Sequence, residues 1–295
     1  MRKWIIGIAA VVVLYIAAAA SFSFFPFGKA TTSDANVVKV GVMQNDANDD
    51  KKWELVAKNA KEYGLTLKFV HFTDYSQPNA ALKSGEIDVN AFQHYAFLAN
   101  WNKENKGDIV SVGDTTLGPS RLYSGTKTDG SNKYTSVDQI PNNGTIAIAN
   151  DSTNGARALL LLNAAGVITT KEGEANPTVQ DITANPKNIQ IREVAADQTL
   201  GALSDVDAAV ISQNYIESAG KDINSAIYTW GGTASNLTHQ WINIIAARKE
   251  DEDSTKIKNL VKAYHRDNVA ELINSIYNGA EVAAWKGAPQ VSSSN

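Results

Sequence analysis

The sequence predicts an α/β protein of two lobes with mostly parallel sheets, and three observations point that way. Short β-branched runs alternate with stretches of helical spacing along most of the chain, and its 295 residues exceed the length at which a single core usually stops growing. A Gly, Thr, Ser and Asp-rich stretch from Leu122 to Lys133 separates two such alternating halves. The expected organisation is an N-terminal hydrophobic segment over 1–28, a polar linker over 29–36, a first lobe from 37–121 and 230–295, and a second lobe from 122–229. The chain would thus cross between lobes twice.

Arg2 and Lys3 precede a run from Trp4 to Phe27 that holds no charged residue, which places the N-terminus on the cytoplasmic side and the rest outside. Two readings fit that run: a signal peptide cut near Ala18-Ala19-Ala20, which would leave a secreted protein, or an uncleaved membrane anchor. Phe22, Phe24, Phe25 and Phe27 lengthen the apolar stretch and favour the anchor. Val37–Met43 then reads as a strand, Trp53–Tyr63 as a helix and Leu65–Phe72 as a strand. The alternation resumes with a helix at Ala80, a strand over Ile87–Asn90 and a helix over Ala96–Trp101. In the second half, strands are expected over Thr145–Ile148, Ile189–Val194 and Ala208–Ile211, with helices over Arg157–Gly166 and Thr199–Leu203. Ile242–Arg248 reads as the return to the first lobe, and Thr255–Trp285 carries helical spacing at Ile257, Leu260, Val261, Tyr264, Val269, Leu272 and Ile273.

Composition removes several classes of function. A net charge of −4 with dispersed basic residues offers no stripe for nucleic acid. With no cysteine there is no disulfide, thiolate metal site, cysteine nucleophile or lipidated Cys. His71, His94, His239 and His265 are scattered without metal-ligand spacing, and neither a Gly-x-Ser-x-Gly elbow nor a Walker-type loop occurs, so no metal, cofactor or catalytic centre is expected.

The segment Asn150-Asp-Ser-Thr-Asn-Gly-Ala-Arg157 places helix-capping residues before an apolar run, presenting the positive end of a helix. Arg157 opposes the macrodipole there; it is either a solvated cation or the partner of a bound carboxylate. Ligands of open α/β sheets bind beyond the carboxyl ends of strands, which directs attention to Phe72, Asp74, Tyr75, Pro78 and Asn79 after one strand and to Asn90, Phe92, Gln93, His94 and Tyr95 after the next. Core packing explains Phe72 and Phe92 equally well, and Asn79 and Asn90 read more readily as turn residues. From the other lobe come Asn214 and Tyr215, and Asn243 is an isolated amide in an apolar run that needs a partner, either backbone or ligand.

The segments Asp74–Asn79, Asp88–His94, Asn150–Leu159, Asn185–Asn188, Asp205–Val210 with Asn214-Tyr215, and Asn243–Ala246, in this order, resemble the methionine-binding (MetQ, or NlpA-type) lipoproteins of ABC importers. The resemblance covers residues 37 to 285. It implies a two-lobed periplasmic-binding-protein fold (type II) with two inter-lobe crossover strands. It implies further that Arg157 clamps a ligand carboxylate, that Asn214 and Asn243 bond its polar backbone groups, and that Tyr75, Phe92 and His94 line the side-chain pocket. Two features depart from the family pattern. The lipid-modified Cys is missing, and Ser120-Arg121 stands where a small apolar pair usually precedes Leu-Tyr-Ser; if Arg121 faces the cleft, the ligand would differ. The resulting expectation is a monomeric extracytoplasmic carrier, not an enzyme, that takes methionine or a close relative to an ABC permease. An enzyme on the same fold, a binder of short methionine-containing peptides and a tethered module with an unused cleft are the alternatives.

Overall fold

The computed structural model describes residues 36–44, 47–231, 239–278 and 280–289. The expected segment 1–28 and, apart from Asn36, the linker 29–36 lie outside the described residues. Among the described residues no helix is long and apolar enough to cross a membrane.

β-branched sequence and burial coincide from the first element. Val38, Val40 and Val42 of β1 (Val37–Met43) are buried, and the strand pairs in parallel along its whole length with β2 (Thr66–Phe72). The helix α1 (Ala47–Ala60) covers this pair with Trp53, Val56 and Ala60. Then follow α2 (Pro78–Ser84), β3 (Val89–His94), α3 (Tyr95–Asn105), β4 (Val110–Asp114) and the two-residue strand β5 (Thr116–Leu117). The chain next enters a second sheet with β6 (Ser120–Ser124), β7 (Thr145–Ala149), α4 (Ser152–Ala164), the short pair β8 (Thr169–Thr170) and β9 (Ile182–Ala184), β10 (Gln190–Val194), β11 (Ala208–Val210), α5 (Gln213–Ser218) and β12 (Tyr228–Trp230). It returns through β13 (Asn243–Ala247) and ends in α6 (Thr255–Tyr264), α7 (Asp267–Tyr277) and β14 (Val282–Ala283), which pairs with β5.

The first sheet has the order β2-β1-β3-β13-β4 and the second β10-β7-β11-β6-β12. In each, four of the five strands run in one direction, as expected of mostly parallel sheets, and one strand opposes them. β1 is parallel to β2 and β3, and β7 to β10 and β11, but β13 runs antiparallel to both its neighbours and so does β6. β13 and β6 are the strands by which the chain comes in from the other sheet, and each runs opposite to the other four strands of the sheet it enters.

Other differences are local. The stretch beginning at Leu122 is not all loop, since Leu122, Tyr123 and Ser124 are buried in β6. The helix expected over Thr199–Leu203 is replaced by separate 3-10 turns at Ala196–Gln198 and Gly201–Ser204, since Gly201 interrupts the spacing. β3 runs on to His94, so Phe92, Gln93 and His94 stand on the strand itself and not after it.

One apolar cluster joins β1 and α1 to α6 and α7, with the Trp53 and Tyr264 rings 5.3 Å apart. Another sets Ile146 and Ile148 of β7 against Leu159 and Leu162 of α4. A third is shared between the sheets, joining Leu82, Ile87 and Ile244 to Ala147, Ala209 and Ile211.

The approach of α4 to β7 is set by Gly155, where an added Cβ would lie 2.8 Å from the Ala149 carbonyl oxygen. Alanine is favoured over glycine in a helix by about 0.5–1 kcal/mol, whereas overpacking typically costs about 1–3 kcal/mol. The clash is with backbone and cannot be relieved by a rotamer change, so it prevails. Gly155→Ala is expected to lower unfolding free energy by about 1–2 kcal/mol in urea titrations. Gly201→Ala, where nothing lies within 4 Å of the added atom, is the neutral control.

Candidate functional site

The carboxyl ends of β2, β3, β7 and β11 open on one cavity of about 170 Å³. At roughly 10–15 Å³ per water-sized sphere, it has room for on the order of ten small atoms. All six residues singled out from the sequence line it: Tyr75, Phe92, His94, Arg157, Asn214 and Asn243.

Arg157 is placed by the cap of α4. Asp151 accepts from the Asn154 N–H at 2.9 Å and from the Thr153 hydroxyl at 3.1 Å, as the capping sequence predicts. Arg157 follows in the second turn. Its guanidinium lies 5.0 Å from the Trp241 ring, and Nη2 donates to the Gly118 carbonyl at 2.7 Å. The buried Nε has no hydrogen-bond partner among the described residues. Burial, followed by the positive charge of Arg121, lowers its pKa to about 10, so it stays charged at neutral pH. The side chain is half-buried, packed on Trp241 and bonded to the Gly118 carbonyl.

His94 does two things at once. Its Nδ1 accepts the Phe97 N–H at 3.1 Å and caps α3, which leaves the ring proton for Nε2, 3.3 Å from Asn154 Oδ1. The Asn154 amide nitrogen is engaged by Asp151, so its oxygen faces His94. Burial pushes the imidazole pKa down to about 3, with Arg157 acting in the same direction, and the ring is neutral.

The aromatic wall consists of Tyr75, Phe92 and Phe97, with Tyr75–Phe92 centroids 5.8 Å apart and Phe92–Phe97 5.6 Å apart. The Tyr75 hydroxyl donates to Asn214 Oδ1 at 2.5 Å, joining the first sheet's turn to α5. Burial holds the Tyr75 pKa well above its ordinary value, so this donor keeps its proton. Asn243 opens β13, and its side-chain amide makes no hydrogen bond to another described residue.

Asn79 and Asn90, read more readily as turn residues, are instead fully buried. With Gln93 they form a closed amide network: Asn79 and Gln93 exchange bonds at 2.8 and 2.7 Å, and Asn90 donates to Asn79 at 2.9 Å. It braces α2 against β3 behind Phe92. Trp241, Phe97 and Asn154 were not singled out. Asn154 was legible as part of the capping run, whereas nothing local marks Trp241, which reaches the site by long-range packing on Arg157 and His94. A polar arm of the same cavity is lined by Asp49, Lys52, Gln213, Glu217 and Glu281, with Lys52 ion-paired to Asp49. Arg121 does not line the cavity.

The NlpA lipoprotein family model matches residues 38–285. The chain belongs to that family. It is 36% identical over 260 residues to the D-methionine-binding lipoprotein MetQ of Escherichia coli K12, a match covering 85% of this chain and 90% of the relative. The substrate-binding protein of a methionine transporter from Streptococcus pneumoniae superposes with a TM-score of 0.79 at 44% identity, covering 85% of this chain and 96% of that one. A nutrient-binding protein from Burkholderia cenocepacia, solved bound to methionine, gives 0.76 at 40% identity, covering 84% and all of its own chain (100%). The two-lobed substrate-binding fold that the sequence resemblance implied is therefore the fold of this family.

His94 makes stability depend on pH. Its pKa is lowered on folding, so the unfolded chain binds the extra proton, and stability is lost as pH falls below the unfolded value near 6.5. Between pH 7 and 5 this one group should cost about 2 kcal/mol of unfolding free energy. The difference between wild type and His94→Gln, measured by urea unfolding at the two pH values, is expected to shrink by about that amount at pH 5.

Proposed function

We propose that the chain is the substrate-binding protein of an ABC importer, closing its two lobes on methionine and delivering it to a membrane permease. The observation that carries this reading is the charged guanidinium of Arg157, which is half-buried in the cavity lining with no ion-pair partner among the described residues. A ligand carboxylate is its natural complement, because charge-assisted forked hydrogen bonds offset the desolvation of both groups. Asn214 and Asn243 bond the ligand's polar backbone groups, while Tyr75, Phe92 and His94 form the slot for its side chain. Sulfur–aromatic contacts of about 0.3–1.5 kcal/mol favour a thioether in such a slot. The names of the relatives support the same ligand.

The lobes divide near residues 121 and 230, which the pairing of β6 and β12 in one sheet and β13 in the other supports. The protein acts as a monomeric carrier and not as a catalyst. It works on the outer face of the cell membrane, where the charge-free run from Trp4 to Phe27 takes the place of the lipid-modified Cys as tether. An uncleaved apolar helix is sufficient for that, since it holds more firmly than a single acyl chain.

Calorimetry on the full chain in detergent is expected to give methionine binding that exceeds alanine and glutamate binding, with both methionine enantiomers tested. Arg157→Ala should remain folded and lose at least about 1.5–3 kcal/mol of binding free energy. Near wild-type affinity in that variant would remove the carboxylate clamp. N-terminal sequencing of the protein from its host should return the uncleaved terminus; a chain beginning near Ser21 would mean a secreted protein without this tether.

A further inference from the structure

The helix α5 meets the first sheet's lobe through three polar side chains. Gln213 donates to Glu281 Oε2 at 2.8 Å, Asn214 accepts from Tyr75 at 2.5 Å, and Glu217 accepts from Asn48 Nδ2 at 3.2 Å. The three partners stand on separate segments: the turn after α7, the turn after β2 and the start of α1. Gln213 is itself oriented from behind, because Arg121 Nη1 donates to its Oε1 at 2.8 Å and leaves its amide hydrogens for Glu281. The same guanidinium donates through Nη2 to the Ala280 carbonyl at 3.0 Å. Arg121 therefore ties β6 both to α5 and to the turn that carries Glu281.

Arg121 is 4% exposed, and among the described residues no carboxylate lies within ion-pair distance of it. A cation removed from water needs its acceptors in place, and two of them, Gln213 and Ala280, come from opposite sides of the cleft. Its desolvation is offset when the lobes are together.

We propose that Arg121, Gln213 and Glu281 form a closure latch, positioning the first turn of α5 so that Asn214 meets Tyr75 when the lobes close on the ligand. The latch rests on the methionine-binding reading for its ligand but not for its geometry. Arg121 touches no ligand and acts through Gln213. Its charge is also felt at Arg157.

The chain has no cysteine, so Lys61→Cys and Glu172→Cys put one spin label on each lobe, and pulsed dipolar distances report closure of the full chain in detergent. In this background Arg121→Met should reduce the closed population at saturating L-methionine and raise the dissociation rate about tenfold, with the association rate within about twofold. The thermal midpoint of the ligand-free protein should stay within about 2 °C, which separates a latch from a purely structural residue. Glu281→Ala removes the acceptor of the Gln213 amide and should act in the same direction, and it decides the matter if Arg121→Met does not fold. Unchanged distances and dissociation rate in a folded variant, or a lowered ligand-free midpoint alone, would overturn the latch. If the parent chain binds no methionine, the ligand assignment fails. The unliganded distances then decide the latch: fewer closed molecules in the variant support it, and identical distributions overturn it.

Discussion

A guanidinium drawn partly out of water with no ion-paired carboxylate among the described residues is the constraint around which this structure is organised. Half-buried, Arg157 must be met by groups that tolerate a cation, and each one found there comes from a different part of the chain. The Gly118 carbonyl belongs to the connection between the sheets, Trp241 to the turn before β13, and the helix that carries Arg157 is held close to β7 by Gly155. These contacts satisfy only part of the group. The positive charge of Arg157 thus remains in the lining of the cavity.

The mixed sheets follow from the same requirement. A cavity walled by both lobes needs the chain to leave the first sheet and come back, and each passage adds a strand of opposite direction, β6 in one sheet and β13 in the other. Those return strands carry or adjoin residues that matter. Asn243 opens β13, and Arg121 lies on β6 beneath α5. Topology and site are thus one solution, because the strands that break the parallel pattern also deliver side chains across the cleft.

Much of this was legible in the sequence, for identifiable reasons. The capping run before Arg157 is a local signal with one physical reading, and Asp151 and Asn154 behave as the spacing implies. Apolar periodicity located α6 and α7 because their burial is one-sided, and a β-branched run and an alternating one located β1 and β2. What escaped was set by distance. Asn79 and Asn90 look like turn residues, and only the packing of α2 on β3 shows that they and Gln93 satisfy one another. Trp241 and the partnership of Arg121 with Gln213 and Ala280 are contacts between segments far apart in sequence, which no local pattern records.

The charge states around Arg157 divide the cavity into a positive end and an uncharged wall. His94 is held neutral by burial and by Arg157 itself, and its acceptor nitrogen is already used by α3, so it adds a ring face without a second cation. Tyr75 keeps its proton because burial opposes the phenolate, so it adds no anion that would neutralise the guanidinium. The acidic side chains near the cavity are gathered in its other arm, with Lys52 among them. One end is therefore positive and the wall beside it uncharged and aromatic. A ligand with a carboxylate and a soft apolar tail satisfies both ends, whereas a second carboxylate on the tail would meet rings and a neutral imidazole and lose its hydration without a partner.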